Sequence, residues 1–319
     1  MKKKELVEMV RRMRGGDERA LSRLMTLVET APETIPPIMA GVYGSRNIAL
    51  KVGVAGPPGS GKSTLIANLV RRAAAAGKRT GVICVDPTSP LSGGAILGDR
   101  VRMSTPEFPP GTFIRSVASG GSLGGVSAAT RFHAILLEAS GADLIIVETV
   151  GIGQLGYDVR HVVSTLLLVF VPESGDTIQT LKSGIIELAD VIVVNKADRD
   201  GAQEIAETLR NNVPDAKNGW RIPVIVTSAV RGEGTERLWA AIEDHSKHMG
   251  SAAPHAECDD NACDFRNALA AHFARELNQD FIEKSPALNH YLQKIKDGKL
   301  DPFTASKLVF DELFGKNET

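Results

Sequence analysis

Seven short apolar runs punctuate the middle of the chain: KVGVAG from Lys51, TGVICVD from Thr80, TFIRSV from Thr112, LIIVET from Leu144, TLLLVFV from Thr165, VIVVNK from Val191 and IPVIVTS from Ile222. None alternates apolar with polar residues. Continuous β-branched runs of this length are what strands buried on both faces require, which is the habit of a parallel sheet covered by helices. Segments with helical character lie between them: Thr64–Ala76 before Gly77, Val126–Ala139 before Gly141, and Ala202–Leu209. The repeated strand–helix order predicts an α/β fold with a mostly parallel sheet and ligands at the carboxyl ends of its strands.

The flanks have a different texture. Residues 1–45 read as helical. In GDERALSRLMTLVE, Asp17 stands as a cap and Leu21, Leu24, Met25 and Val28 follow at a period of 3.6, until APETIPP breaks the pattern. After about residue 245 the strands stop. HSKHMGSAAPHAECDDNAC is small and polar and reads as a linker, and helical stretches follow, DGKLDPFTASKLVFDELF being the clearest. The expected organisation is an N-terminal helical segment (1–45), a central α/β domain (46–246) and a C-terminal helical arm (247–319).

Composition narrows the class. Of 319 residues 43% are apolar and 24% charged, as in an ordinary globular protein, and the formal net charge of −1 gives no support for binding nucleic acid or a membrane surface. The basic start, MKKKELVEMVRRMR, is interrupted by Glu5 and Glu8 and reads as a solvated amphipathic helix. No uncharged apolar run approaches the roughly 18 residues of a membrane span. Three cysteines make no disulfide framework, and the expected location is cytoplasmic.

The chemistry begins at GVAGPPGSGKSTL. Gly56, Pro57, Pro58, Gly59, Ser60, Gly61, Lys62 and Ser63 fit G-x-x-x-x-G-K-[ST], with a strand before and a helix-forming run from Thr64 after. Such a loop turns its backbone N–H groups towards phosphate oxygens, helped by the positive end of the helix. Lys62 would span the β- and γ-phosphates and the Ser63 hydroxyl would ligate Mg²⁺. The base is read further on, where Asn195, Lys196 and Asp198 form N-K-x-D at a strand end. A carboxylate there accepts two hydrogen bonds from the N1–H and exocyclic amine of guanine, whereas adenine would leave it unpaired. Ser228 and Ala229 end the next strand, where a backbone N–H can meet guanine O6. The nucleotide expected is GTP, with GDP as product. Asp86, Asp99 and Glu148 are the acidic candidates for the Mg²⁺ site, oxygen ligands suited to a hard dication.

Four stretches, VDPTSPLSGGAILGDRVRM, IRSVASGGSLGGVSAATR, VETVGIGQ and VNKADRD, together resemble the MeaB/ArgK family of P-loop GTPases. The resemblance runs from GDERALSRLMTLVE to DPFTASKLVF. It implies a G domain of the SIMIBI type, and a homodimeric GTPase chaperone that protects or reloads an adenosylcobalamin-dependent acyl-CoA mutase such as methylmalonyl-CoA mutase. Position by position it assigns Ser63, Asp86, Asp99 and Glu148 to the Mg²⁺ and switch positions, and Gly151 to the amide that senses the γ-phosphate. The chain departs from the pattern at Leu155, Gly156 and Tyr157 and again in PESGDTIQTLKSG, both in switch regions that would face the mutase, though Asp176, Gln179 and Lys182 remain. Gln154, three residues beyond Gly151, is the candidate to orient the attacking water. Without a glutamine directly after the sensing glycine, slow intrinsic hydrolysis accelerated by a partner is expected. Two other readings stay open: a nickel-insertion GTPase, to which His245, His248, His255, Cys258 and Cys263 would contribute ligands, and a transport-linked kinase or ATPase.

Overall fold

The computed structural model describes residues 3–45, 47–86, 108–118, 128–149, 159–160, 162–172, 185–213, 219–251, 269 and 285–314. Asp99, Gly151, Gln154 and Leu155 to Asp158, together with Asp176, Gln179, Lys182, His255, Cys258 and Cys263, lie outside them. The chain forms two compact units, residues 1–252 and 253–319.

All seven apolar runs are strands: β1 (Leu50–Ala55), β2 (Thr80–Asp86), β3 (Phe113–Ala118), β4 (Leu144–Thr149), β5 (Thr165–Phe170), β6 (Val191–Val194) and β7 (Val224–Val226). They make one sheet in the order β3-β2-β4-β1-β5-β6-β7, and every neighbouring pair is parallel. The chain moves to one side of β1 for β2, β3 and β4, then crosses to the other side for β5 to β7. That reversal opens a crevice at the carboxyl end of β1, which is where such sheets bind ligands.

Alternate residues of each strand enter separate cores, which is why the runs are apolar throughout. Val52, Val54, Val82, Ile146, Leu167 and Val193 pack beneath α4 (Lys62–Ala75) and a later helix that carries Leu238, Trp239 and Ile242. Ile83, Val85, Ile145, Val147, Leu168, Phe170 and Val194 face the other way. They meet α5 (Ala128–Ala139), α6 (Ala202–Asn212) and the N-terminal helices α1 (Lys3–Arg14), α2 (Glu18–Thr30) and α3 (Ile35–Val42).

The N-terminal segment is thus part of the first unit. Asp17 caps α2, its Oδ1 accepting from the Ala20 amide at 3.0 Å. That amide first, then Arg12, holds the carboxyl below the usual range. Glu29 of α2 is clasped from two elements, by Arg115 of β3 (2.8 Å) and His133 of α5 (3.1 Å). Burial alone would raise the Glu29 pKa, but the bonds from His133 and Arg115 outweigh it and leave it lowered. The proline stretch that breaks α2 also starts α3: Pro36 and Pro37 occupy its first turn, where a missing N–H costs nothing.

The region read as a linker from His245 begins differently. α7 runs from Thr235 to Ser251, so His245 and His248 are helical. His245 is only 2% exposed, bonded through Nδ1 to Thr165 (2.9 Å) and paired through Nε2 with Asp190 (3.3 Å), which commits it to the core. In the second unit, α8 (Pro286–Lys296) and α9 (Pro302–Phe314) pack as a hairpin, joined by Tyr291 donating to Glu312 at 3.0 Å. Asp301 caps α9 through the amides of Phe303 and Thr304. No helix among the described residues is long and apolar enough to cross a membrane.

Candidate nucleotide site

The loop from Gly56 to Gly61 leaves the central strand and enters α4 at Lys62, so the helix N-terminus points at the crevice. Gly61 adopts φ +83°, and a Cβ there would stand 2.5 Å from Asn195 Nδ2. A left-handed backbone and a backbone-close neighbour together exclude a side chain. Gly61→Ala is therefore expected to destabilise the protein by about 2–3 kcal/mol, because Asn195 is itself fixed and cannot yield. Denaturant unfolding measures this directly, and an unchanged midpoint would refute it.

Lys62 is 7% exposed, its Nζ donating to the carbonyls of Gly56 and Pro57, each at 2.9 Å. The ammonium thus lies against the carbonyls of the loop it follows. Ser63 donates from Oγ to Glu148 Oε1 at 2.9 Å. Glu148 sits in β4 opposite Val54 of β1, and Asp86 ends β2 on the far side of β4, so both carboxylates lie at carboxyl ends of neighbouring strands. Asp86 is fully buried and Glu148 is 6% exposed. Cys84, a register partner of Glu148, places Sγ 3.7 Å from Glu148 Oε2. A hydroxyl with one or two carboxylates is an all-oxygen donor set that suits Mg²⁺, which takes its remaining ligands from phosphate and water.

The candidate base-reading half lies at the ends of β6 and β7. Asn195 is 1% exposed and braces the site through both ends of its amide. Its Nδ2 donates to the Ser60 carbonyl of the phosphate loop (2.8 Å), and its Oδ1 accepts from Thr227 Oγ1 (3.1 Å) and the Ala229 amide (3.0 Å). Lys196 takes φ 60°, a turn rare outside glycine that swings the chain so Asp198 faces the 227–229 segment. Ser228 donates its hydroxyl to Asp198 Oδ1 at 2.6 Å. That bond, then the charges of Arg231 and Lys196, holds the Asp198 carboxyl below the ordinary aspartate range. The amides proposed for guanine O6 are both engaged internally, Ser228 N–H to Glu233 O (3.1 Å) and Ala229 N–H to Asn195. A base reading the second would have to compete with Asn195.

The structure therefore gathers the phosphate loop, Lys62, Ser63 and Glu148 at one end of the crevice, with Asn195, Asp198, Ser228 and Ala229 at the other. Sequence reasoning missed three participants: Thr227, the Ser60 carbonyl and Asn68. A polar residue on the apolar face of α4 was the available signal for Asn68.

Fold and site define a P-loop GTPase. The family model for methylmalonyl-CoA mutase-associated GTPase MeaB matches residues 21–279, and the chain belongs to that family. A protein of Pyrococcus horikoshii named as a GTPase is 39% identical over 317 residues, 97% of this chain and 98% of that protein. The GTPase ArgK of Escherichia coli is 36% identical over 249 residues, covering 75% of each. The mitochondrial methylmalonic aciduria type A homologue of Mus musculus is 34% identical over 255 residues, 73% of this chain and 61% of that protein. Among solved structures, a LAO/AO transport system kinase superposes with a TM-score of 0.69 at 25% identity, covering 98% of this chain and 99% of that one.

Proposed function

We propose that this chain binds and hydrolyses GTP in order to gate the loading, protection or reactivation of an adenosylcobalamin-dependent acyl-CoA mutase, and that it works as a homodimer. The observation that carries the reading is a joined phosphate-and-guanine site in a chain whose family is named for association with methylmalonyl-CoA mutase. Asp198 accepts from the guanine N1–H and exocyclic amine. Lys62 exchanges the carbonyls of Gly56 and Pro57 for the β- and γ-phosphate oxygens, while loop amides from Gly59 to Ser63 and Thr64 hold the rest. Ser63, Glu148 and Asp86, joined by Asp99, would hold Mg²⁺. When bound there, the ion neutralises charge on the phosphate oxygens.

Phosphoryl transfer asks for positioning and charge neutralisation more than for covalent chemistry. Glu148 is committed to Ser63. Orienting the attacking water is assigned to Gln154, with the Gly151 amide sensing the γ-phosphate, and the mutase would set the rate by acting on this switch. Phe303 (85% exposed) and Phe310 (59% exposed) on α9 lend support to the arm as a dimerisation element.

The test is GTP turnover by the purified protein, alone and with a cobalamin-dependent acyl-CoA mutase from the same source. Turnover well below the ~10 s⁻¹ typical of enzymes is expected alone, rising at least about tenfold with the mutase. Turnover of several per second without any partner would overturn the gating role.

A further inference from the structure

Asn68 lies in the second turn of α4 and is 9% exposed, on a helix face whose neighbours Leu65 and Leu69 are fully buried. Asparagine is a poor helix former and an amide among leucines must find partners. It finds two. Nδ2 donates to the Ala229 carbonyl at 2.7 Å, and Oδ1 accepts from Arg71 Nη1 at 2.5 Å. A guanidinium can only donate and a carbonyl only accept, so these partners fix which way the amide faces.

Ala229 is thereby held by both of its backbone groups, its carbonyl by Asn68 and its N–H by Asn195. Asn195 in turn holds Ser60. The hydrogen bonds run Ser60, Asn195, Ala229, Asn68, and the chain from Ser60 through Lys62 into α4 closes the ring. The phosphate loop, the base-reading loop and the helix between them are one hydrogen-bonded unit.

We propose that Asn68 is a positioning residue for guanine recognition, setting the Ala229 segment at the distance from the phosphate loop that a guanine nucleotide spans. This rests on the reading of Asp198 and Ala229 as the base site. Removing the Asn68 donor leaves the Ala229 carbonyl only the long bond from the Gly232 amide (3.4 Å) and lets the 227–229 segment move relative to the phosphates. Affinity for the base then falls while affinity for the triphosphate persists.

The experiment is competition of GTP and ATP against a fluorescent GDP analogue on the full chain, wild type and Asn68→Ala. The wild type is expected to prefer GTP strongly. In Asn68→Ala the GTP-over-ATP ratio should fall about tenfold, the loss of one short buried hydrogen bond, with ATP affinity changed less than about twofold. Asn68→Gln, which keeps the donor on a longer stem, should recover part of the ratio. Equal weakening of both nucleotides, or an unchanged ratio, would reduce Asn68 to a structural residue and overturn the proposal. If Asn68→Ala does not fold, Arg71→Ala takes its place. That change frees the amide to rotate and should lower the ratio about twofold to threefold, and an unchanged ratio there overturns the proposal equally. A wild type without preference for GTP would instead sink the guanine reading itself.

Discussion

Lys62→Met should lower GTP turnover by about 10²–10³-fold while leaving the protein folded, because one preorganised cation is removed from the phosphates that gain charge at the transition state. The geometry says why this side chain has so large an effect. The residue is 7% exposed and its ammonium contacts two loop carbonyls, so its charge acts largely through protein and is weakly screened by solvent. Methionine keeps the length and apolar volume of the stem, so α4 should keep its start. The cost is two loop carbonyls that lose a donor, about 1–3 kcal/mol of stability if water does not replace it. Lys62→Arg is expected to be nearly as inactive. A planar guanidinium is too wide for a position between the Gly56 and Pro57 carbonyls, and it offers a fork where the site needs a point charge. Single-turnover hydrolysis by both variants, with thermal unfolding alongside, checks the pair. Turnover within a factor of three of wild type in either would remove Lys62 from the catalytic machinery.

The sheet was legible because its strands are buried on both faces. Seven apolar runs had to be internal, and a parallel ladder is the arrangement that hides both sides. The strand order was not legible. β1 lies between β4 and β5 by virtue of contacts such as Val159 and Leu166 in the notch at Gly53, which depend on residues more than a hundred positions away. The site divides in the same way. Motif spacing located Lys62, Ser63, Glu148, Asn195 and Asp198 because their chemistry is tied to their own strand ends. Asn68, Thr227 and the Ser60 carbonyl act by touching other elements, so their roles exist only once the chain is folded. The C-terminal boundary was hidden for another reason. HSKHMGS is polar in composition but continues α7, where His245 is satisfied by Thr165 and Asp190 rather than by solvent.

Asp198→Asn should invert the nucleotide preference, weakening GTP by about 10³-fold or more and making xanthosine triphosphate the better ligand. The carboxylate offers acceptors to both guanine donors. An asparagine turns one of those acceptors into an NH₂ that faces guanine's own amine, and a donor held against a donor is worse than an empty place. Xanthine carries a carbonyl where guanine carries the amine, so the same NH₂ then finds a partner. Ser228 makes the outcome sharper. Its hydroxyl donates to Asp198 Oδ1 at 2.6 Å and holds the residue in register with Ala229, and asparagine can accept that bond through its own oxygen, leaving the NH₂ for the base. The same contact governs pH. Ser228 first, with Arg231 and Lys196, lowers the Asp198 pKa, so the charged form is kept from neutral pH down through the ordinary aspartate range of about 4 and lost only below it. GTP selectivity should therefore be flat between about pH 5.5 and 8, since no titration of this group falls there. In Ser228→Ala that support is gone, and selectivity should begin to fall at a higher pH than in the wild type. Isothermal titration with GTP and xanthosine triphosphate at both ends of the range and again near the ordinary aspartate pKa of about 4 measures preference and pH dependence together. An Asp198→Asn protein that still preferred GTP would place base recognition elsewhere in the chain.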